Sequence, residues 1–226
     1  MPAARVASSA DVDASAHLGE GCVVWHLAQV REAAALGADC VIGRGAYIGA
    51  GVHLGARCKV QNYALVYEPA DLSDGVFIGP AAVLTNDEHP RAITPEGALK
   101  GSEEWKPVGV IIERGASIGA RAVCVAPVLI GAWATVGAGA VVTRDVPAHA
   151  LVVGVPARQV GWVGEVGEPL QREHESPRND AAEAEDVGPG SLSGRWICPA
   201  TGTAYLSDGA SLKRVDTHAD VEVEGV

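Results

Sequence analysis

Large rings are scarce in this chain. Among 226 residues there are five Trp, four Tyr and one Phe, and only one Met. A core built on aromatic anchors is thereby excluded, and one too narrow for rings is expected. No apolar run approaches the roughly 18 residues that a membrane-spanning helix needs. Nor does an apolar stretch of the signal-peptide kind open the chain, so the expectation is a cytoplasmic protein with no membrane partner. Excess positive charge is missing as well. The formal net charge is −11, of which −8 falls from Glu165 onward, where 13 acidic residues face 5 basic ones. This argues against nucleic acid as a partner and confines the acidity to the tail. Paired metal ligands are lacking too. His17, His26, His53, His89 and His149 provide no closely spaced pair, and Cys198 lacks the second thiol pair of a zinc ribbon, so no metal is expected.

What the chain does have is a six-residue period. Val, Leu or Ile stands at position 6 and at every sixth position to 78, thirteen times in succession. Four places on, each hexad carries Ala, Cys or Val, from Ala10 to Ala82. The pattern resumes at Ile112 and runs through Ile118, Cys124, Ile130, Val136 and Val142. Neither a helix nor an ordinary strand pair has this period, whereas a β-solenoid does. Three hexads make one triangular coil of 18 residues. The large aliphatic fills the middle of each wall, and the small residue sits where walls converge and a Leu would overpack. Gly49, Gly51, Gly55, Gly79, Gly119, Gly131 and Gly137 fall at corners, where tolerance of unusual φ and ψ is the expected reason for glycine. Cys22, Cys40 and Cys58 lie 18 apart in the inward small-residue slot, which makes them packing groups rather than metal ligands or redox groups.

The period also divides the chain. Residues 1–164 form the solenoid domain, interrupted over 85–111 by a loop whose length marks it as functional. Residues 165–192, rich in Glu, Asp, Pro and Gly, read as a flexible acidic linker. Residues 193–226 read as a small β module, with strands around 196–198, 204–206 and 212–215.

Positions 18 apart share a column. Thr85 and Asn86 lie above Tyr67 and Glu68, then Gly49 and Ala50, then Arg31 and Glu32, so one corner carries a polar strip with space at its middle. Three coil steps of about 4.8 Å span roughly 14 Å, comparable with an extended nucleotide-sugar. A second strip aligns His26, Arg44 and Asn62, with Trp25 and Gln61 beside it. Ordinary solvent-facing polarity is the plain alternative for both.

Segments 25–32, 59–68, 75–80 and 84–92, the last reading Leu-Thr-Asn-Asp-Glu-His-Pro-Arg-Ala, resemble one group of hexapeptide-repeat acyltransferases. These are the nucleotide-sugar N-acetyltransferases acting on the 3-amino group of UDP-2-acetamido-3-amino-2,3-dideoxyglucuronate. The resemblance covers about residues 10–170. It implies a left-handed parallel β-helix, acetyl-CoA as co-substrate, a homotrimer with sites between subunits, and a role in surface-polysaccharide or glycoconjugate biosynthesis. Relatives acting on dTDP-3-amino-3,6-dideoxyhexoses are the alternative. By the same resemblance Asn86 meets the sugar amine at the reaction centre. Asp87 either orients Asn86 or the amine, or is a turn residue at the loop start. His26, Gln29, Arg31, Gln61, Asn62, Tyr67 and Glu68 are the candidates for the nucleotide-sugar. A buried uronate carboxylate needs a charged or multiply hydrogen-bonded partner; Arg31 meets that carboxylate or the adjoining diphosphate, unless it is a surface arginine paired with Glu32 or Glu68. For acetyl-CoA the resemblance points to Ala120, Gly137 and Ala138 along the pantetheine arm. Arg158, in the closing Gly-Val-Pro-Ala-Arg, is the phosphate candidate, and Arg144 is either a second one or a solvated charge.

Many hexapeptide acyltransferases use a histidine base. His89 is the only histidine in the loop but stands where this group has Tyr, so it is not assigned that role. A γ-class carbonic anhydrase would use the same solenoid but needs the histidine pairs that are missing here. A non-catalytic scaffold would have no need of the Thr-Asn-Asp loop.

Overall fold

The computed structural model describes residues 3–173 and 192–215. Two-residue strands recur every six residues from Arg5–Val6 to Val83–Leu84, and the rhythm returns from Val110–Ile112 to Val141–Val142. Each strand pairs in parallel with the strand one coil away, as Val6 with Val24, Val12 with Val30 and Leu18 with Leu36. Three walls result. Wall A passes through Val24, Ile42, Val60, Ile78, Ile118 and Val136; wall B through Val30, Ile48, Val66, Leu84, Cys124 and Val142; wall C through Leu36, Leu54, Leu72, Ile112 and Ile130. The fold is therefore an all-β solenoid of stacked parallel coils, of the left-handed β-helix type. No helix of the described residues is long and apolar enough to cross a membrane.

The two inward slots make a single core. From Cys22 to Val152 their residues are at most 4% exposed. Rings stay out of it: Trp25, Tyr63 and Phe77 are exposed, and Trp162, fully buried, lies beyond the last coil. Cys22, Cys40 and Cys58 are free thiols that donate to the backbone oxygens of Gly37, Gly55 and Ser73 at 3.1–3.2 Å. Burial raises the Cys22 thiol and pushes that of Cys124 up to about 12, so both stay protonated packing groups.

The corner glycines differ from expectation. Of the seven, only Gly51 holds a left-handed conformation, with φ +65°. The other six are selected by close approach: at Gly119 a Cβ would lie 2.5 Å from the Ala138 nitrogen of the coil above. The left-handed position comes two residues later in the hexad, and non-glycine residues hold it at nine places, Ala33, Ala81 and Arg121 among them at φ +55 to +57°.

One long loop leaves the solenoid. Leu72 of wall C pairs with Ile112, forty residues on, instead of a residue eighteen on. Val110 already belongs to wall C, so the loop spans 85–109. Its base is closed by the Val108 N–H, which donates to Asn86 O at 3.1 Å. Within it, Ile93 and Leu99 form an antiparallel bridge and Ser102–Glu104 a single 3-10 turn.

At the far end the chain turns through 154–157 and returns antiparallel as Arg158–Trp162. Residues 165–173, expected to begin a linker, are folded. The Gly164 N–H donates to Glu168 O, and Gln171–Arg172 pairs with Ser193–Ile197. Their turn-rich composition reflects the tight bend at 165–167. The rest of the expected linker, 174–191, and the end of the expected module, 216–226, lie outside the described residues. Ser193–Ile197, Ala204–Asp208 and Leu212–Arg214 complete a four-stranded antiparallel sheet. This sheet packs on the solenoid end: the indole N–H groups of Trp162 and Trp196 both donate to Leu192 O at 3.1 Å, and the Tyr205 ring lies 5.8 Å from His149. The open end of a repeat core is thus covered.

Two substitutions separate the two corner roles. Ala81→Gly removes a left-handed Cβ worth about 1 kcal/mol and should raise Tm by roughly 2–4 °C. Gly119→Ala should lower Tm, because it wedges two backbones apart. Thermal unfolding of both variants checks this; a wild-type Tm for Gly119→Ala would refute close approach as the reason for glycine.

Candidate active site

Wall B is flanked by two corners, and the candidate residues divide between them. The A–B corner carries His26, Arg44, Asn62, Ala120 and Ala138 in one column, with Gln61 and Gly137 in the column beside it. Arg158, opposite Val153, stands at its top. The B–C corner carries Arg31, Tyr67, Glu68, Asn86 and Asp87, with Arg144 further up the Asn86 column. Gln29 lies on wall B itself. Asn86 and the acetyl-CoA candidates other than Arg144 therefore lie at different corners of one chain, whereas His26, Gln61 and Asn62 share the acetyl-CoA corner.

Several A–B corner groups already have partners. His26 Nδ1 is 2.8 Å from Ser9 Oγ. The Asn62 carboxamide oxygen accepts from the Arg44 N–H at 2.9 Å, locking one coil to the next as Asp74 does with Ala56 at 2.7 Å. The Gln29 amide donates to Asp11 at 2.9 Å. The Gly137 N–H donates to Val152 O at 2.8 Å, whereas the N–H groups of Ala120 and Ala138 have no partner among the described residues. Arg158 is exposed and donates to Ala157 O at 3.0 Å; Arg144 is exposed.

At the B–C corner Arg31 donates twice to Glu32, at 2.9 and 2.8 Å. That bond raises the guanidinium and lowers the carboxyl, and of the alternatives for Arg31 the Glu32 pair is the one formed. Tyr47, absent from the candidates, packs against Tyr67 with ring centroids 5.2 Å apart. Its hydroxyl is raised by burial and then by the Glu68 charge. The signal was available, since Tyr47 follows Gln29 in its column one coil up. Glu68 fills the space beside Gly49, where any Cβ would collide with its Oε2. That oxygen is buried and has no hydrogen-bond partner among the described residues. A buried acceptor left unpaired costs about 1–3 kcal/mol.

Above it, Asn86 is half-buried at the root of the loop, and its carboxamide has no partner among the described residues. Thr85 Oγ1 accepts from the Ala126 N–H at 2.9 Å. Asp87 accepts from the His89 N–H at 3.0 Å, the turn geometry that was one of its two readings. His89 is exposed, with Glu88 4.0 Å away. The loop also encloses a hollow of about 510 Å³, reached by Asp87, Arg91, Lys100, Trp105 and Lys106. The last four are not among the candidates, because the loop has no period to read. Among the described residues no group of three or more His, Cys, Asp or Glu is placed to hold a metal ion.

Residues 34–63 and 109–144 match the family described as the hexapeptide repeat of succinyl-transferase. The bifunctional protein GlmU of Polaromonas naphthalenivorans (strain CJ2) is 37% identical over 155 residues, 67% of this chain and 29% of that protein. The dTDP-3-amino-3,6-dideoxy-α-D-galactopyranose 3-N-acetyltransferase of Aneurinibacillus thermoaerophilus is 58% identical over 53 residues, 24% of this chain and 28% of that enzyme. The chain thus spans less than a third of the length of these curated relatives. Among solved structures, PerB from Caulobacter crescentus, in complex with CoA and GDP-perosamine, is similar at 26% identity and a TM-score of 0.35, covering 71% of this chain and 58% of that one.

The unpaired Glu68 oxygen yields a stability test. Glu68→Gln removes the charge of a half-buried carboxylate whose buried Oε2 has no donor among the described residues, and Tm should rise by roughly 2–4 °C if about 1 kcal/mol is recovered. Gly49→Ala, which displaces the same side chain, should lower Tm. Calorimetric scans of both variants decide it, and a fall for Glu68→Gln would count against the burial argument.

Proposed function

We propose that this chain, whose residues 34–63 and 109–144 match the hexapeptide-repeat family, is an acetyl-CoA-dependent N-acetyltransferase acting on a nucleotide-linked amino sugar. The reading rests on Asn86, a half-buried carboxamide without a partner, rooted in the loop and one coil above Glu68. A carboxamide oxygen accepts a hydrogen bond from a neutral amine without protonating it. The amine nitrogen attacks the thioester carbonyl, the tetrahedral intermediate collapses, and the departing thiolate takes the surplus proton. Proximity and orientation then supply most of the rate, with N–H donors for the developing oxyanion. The free N–H groups of Ala120 and Ala138 suit a pantetheine arm along the A–B corner, with Arg158 at the phosphates.

Support for the substrate class comes from the 53-residue segment 58% identical to a dTDP-amino-sugar 3-N-acetyltransferase. The finer reading is UDP-2-acetamido-3-amino-2,3-dideoxyglucuronate, and the dTDP-linked 3-amino-6-deoxy sugar is the second reading, favoured by that same segment. Because the candidates divide over two corners, the proposed site is shared: a homotrimer sets the B–C corner of one chain against the A–B corner of its neighbour. The enzyme would work in the cytoplasm, in glycoconjugate or surface-polysaccharide synthesis.

Asn86→Ala should lower kcat by about 10- to 100-fold with little change in the sugar KM, whereas Arg158→Ala should raise the acetyl-CoA KM and leave kcat nearly intact. Steady-state kinetics on a panel of UDP- and dTDP-amino sugars tests both; wild-type kcat in Asn86→Ala would remove it from the reaction centre. On the same panel, Arg31→Ala should lose uronate turnover selectively. Equal retention on both sugar types would leave the arginine as the Glu32 partner only.

A further inference from the structure

We propose that the hollow inside the 85–109 loop holds the nucleoside diphosphate of the sugar donor, with Trp105 against the base and Arg91, Lys100 and Lys106 around the two phosphates. The inference rests on the transferase reading and deepens it. At about 510 Å³ the hollow is of the size that small-molecule sites occupy.

Its charges are unequally committed. The acids are tied down locally: Asp87 accepts from the His89 N–H, Glu104 from the Gly101 N–H at 2.8 Å, and Glu88 lies 4.0 Å from His89. The cations are not. Among the described residues neither Lys100 nor Lys106 has a carboxylate partner, and Arg91 reaches only the Pro90 carbonyl, at 2.7 Å. Arg31, three coils below Asn86, is by contrast doubly bonded to Glu32, so a phosphate there would have to displace a carboxylate. Trp105, 38% exposed, offers a flat face in a chain with few rings, and flat faces stack on bases without regard to sequence. The loop's own bonds set the arrangement. The Lys100 N–H donates to Ala92 O at 3.0 Å, which holds Lys100 beside Arg91, and Asp87 joins the hollow to Asn86. A sugar attached to a diphosphate in the hollow therefore leads toward the carboxamide. CoA carries the same chemistry, a diphosphate and a base, but its candidate residues, Arg144 apart, lie on the other corner.

The test uses the full chain, with a Lys100→Ala/Lys106→Ala double variant and Trp105→Ala, each checked for wild-type Tm. Calorimetric titration with UDP, dTDP and CoA should show the nucleoside diphosphate that the wild type binds weakened at least tenfold. The donor KM should rise in step while CoA affinity is unchanged. Nucleotide affinity equal to wild type in both variants overturns the inference, as does weakening confined to CoA. A wild-type chain that neither binds UDP or dTDP nor turns over any nucleotide amino sugar overturns the transferase reading itself, and that failure shows before any variant is made.

Discussion

Each coil hangs on the next through parallel backbone hydrogen bonds between neighbouring strands, such as Trp25 N–H to Ile42 O at 2.9 Å and Gly43 N–H to Val60 O at 2.7 Å. Backbones held about 4.8 Å apart leave no volume for a side chain where one corner passes directly over another. That single spacing explains the close-approach glycines, the small inward residues, and the side chains of Asn62 and Asp74 that bond the N–H groups of the coil below. It also governs the candidate site. A group on one corner stands one strand spacing from its counterparts above and below, so a strip of chemistry is delivered by two-residue strands.

The walls were legible because one requirement, an aliphatic side chain at a fixed interval, is met by very few residue types. The left-handed turns were not. Ala33, Ala81 and Arg121 carry no sign of positive φ, since the stacked backbone imposes that conformation on whatever residue stands there. At the site, the column placing Glu68 under Asn86 could be counted from the sequence. A column does not say which way a side chain turns, and so the Arg31–Glu32 pair, the Glu68 carboxylate against Gly49 and the Tyr47–Tyr67 contact emerge only in three dimensions. The loop was legible as an interruption alone. Residues 165–173 were misread because what folds them is a strand at 193–197, far away in sequence and invisible to local composition.

Closing the solenoid needs residues that its interior excludes. The coils accept no rings, yet Trp162, Trp196 and Tyr205 meet over the last one, where width is no longer limited by the hexad. The strand that begins this cover opens with Arg158 and ends with Trp162. Sealing the core and presenting a guanidinium beside the A–B corner are thus done by one five-residue segment.

The register across the long loop has an evolutionary side. Asp71 meets Ile111 and Leu72 meets Ile112 in the same alignment that joins uninterrupted coils elsewhere. The scaffold is therefore indifferent to what departs from that corner, and doubling the length of such a segment costs only about 0.6 kcal/mol in closure entropy. Selection can lengthen, shorten or rewrite the excursion without retuning a single core contact. Loop content and fold maintenance become separately inherited traits on one chain, and lineages sharing these walls can diverge at the pace of a surface loop.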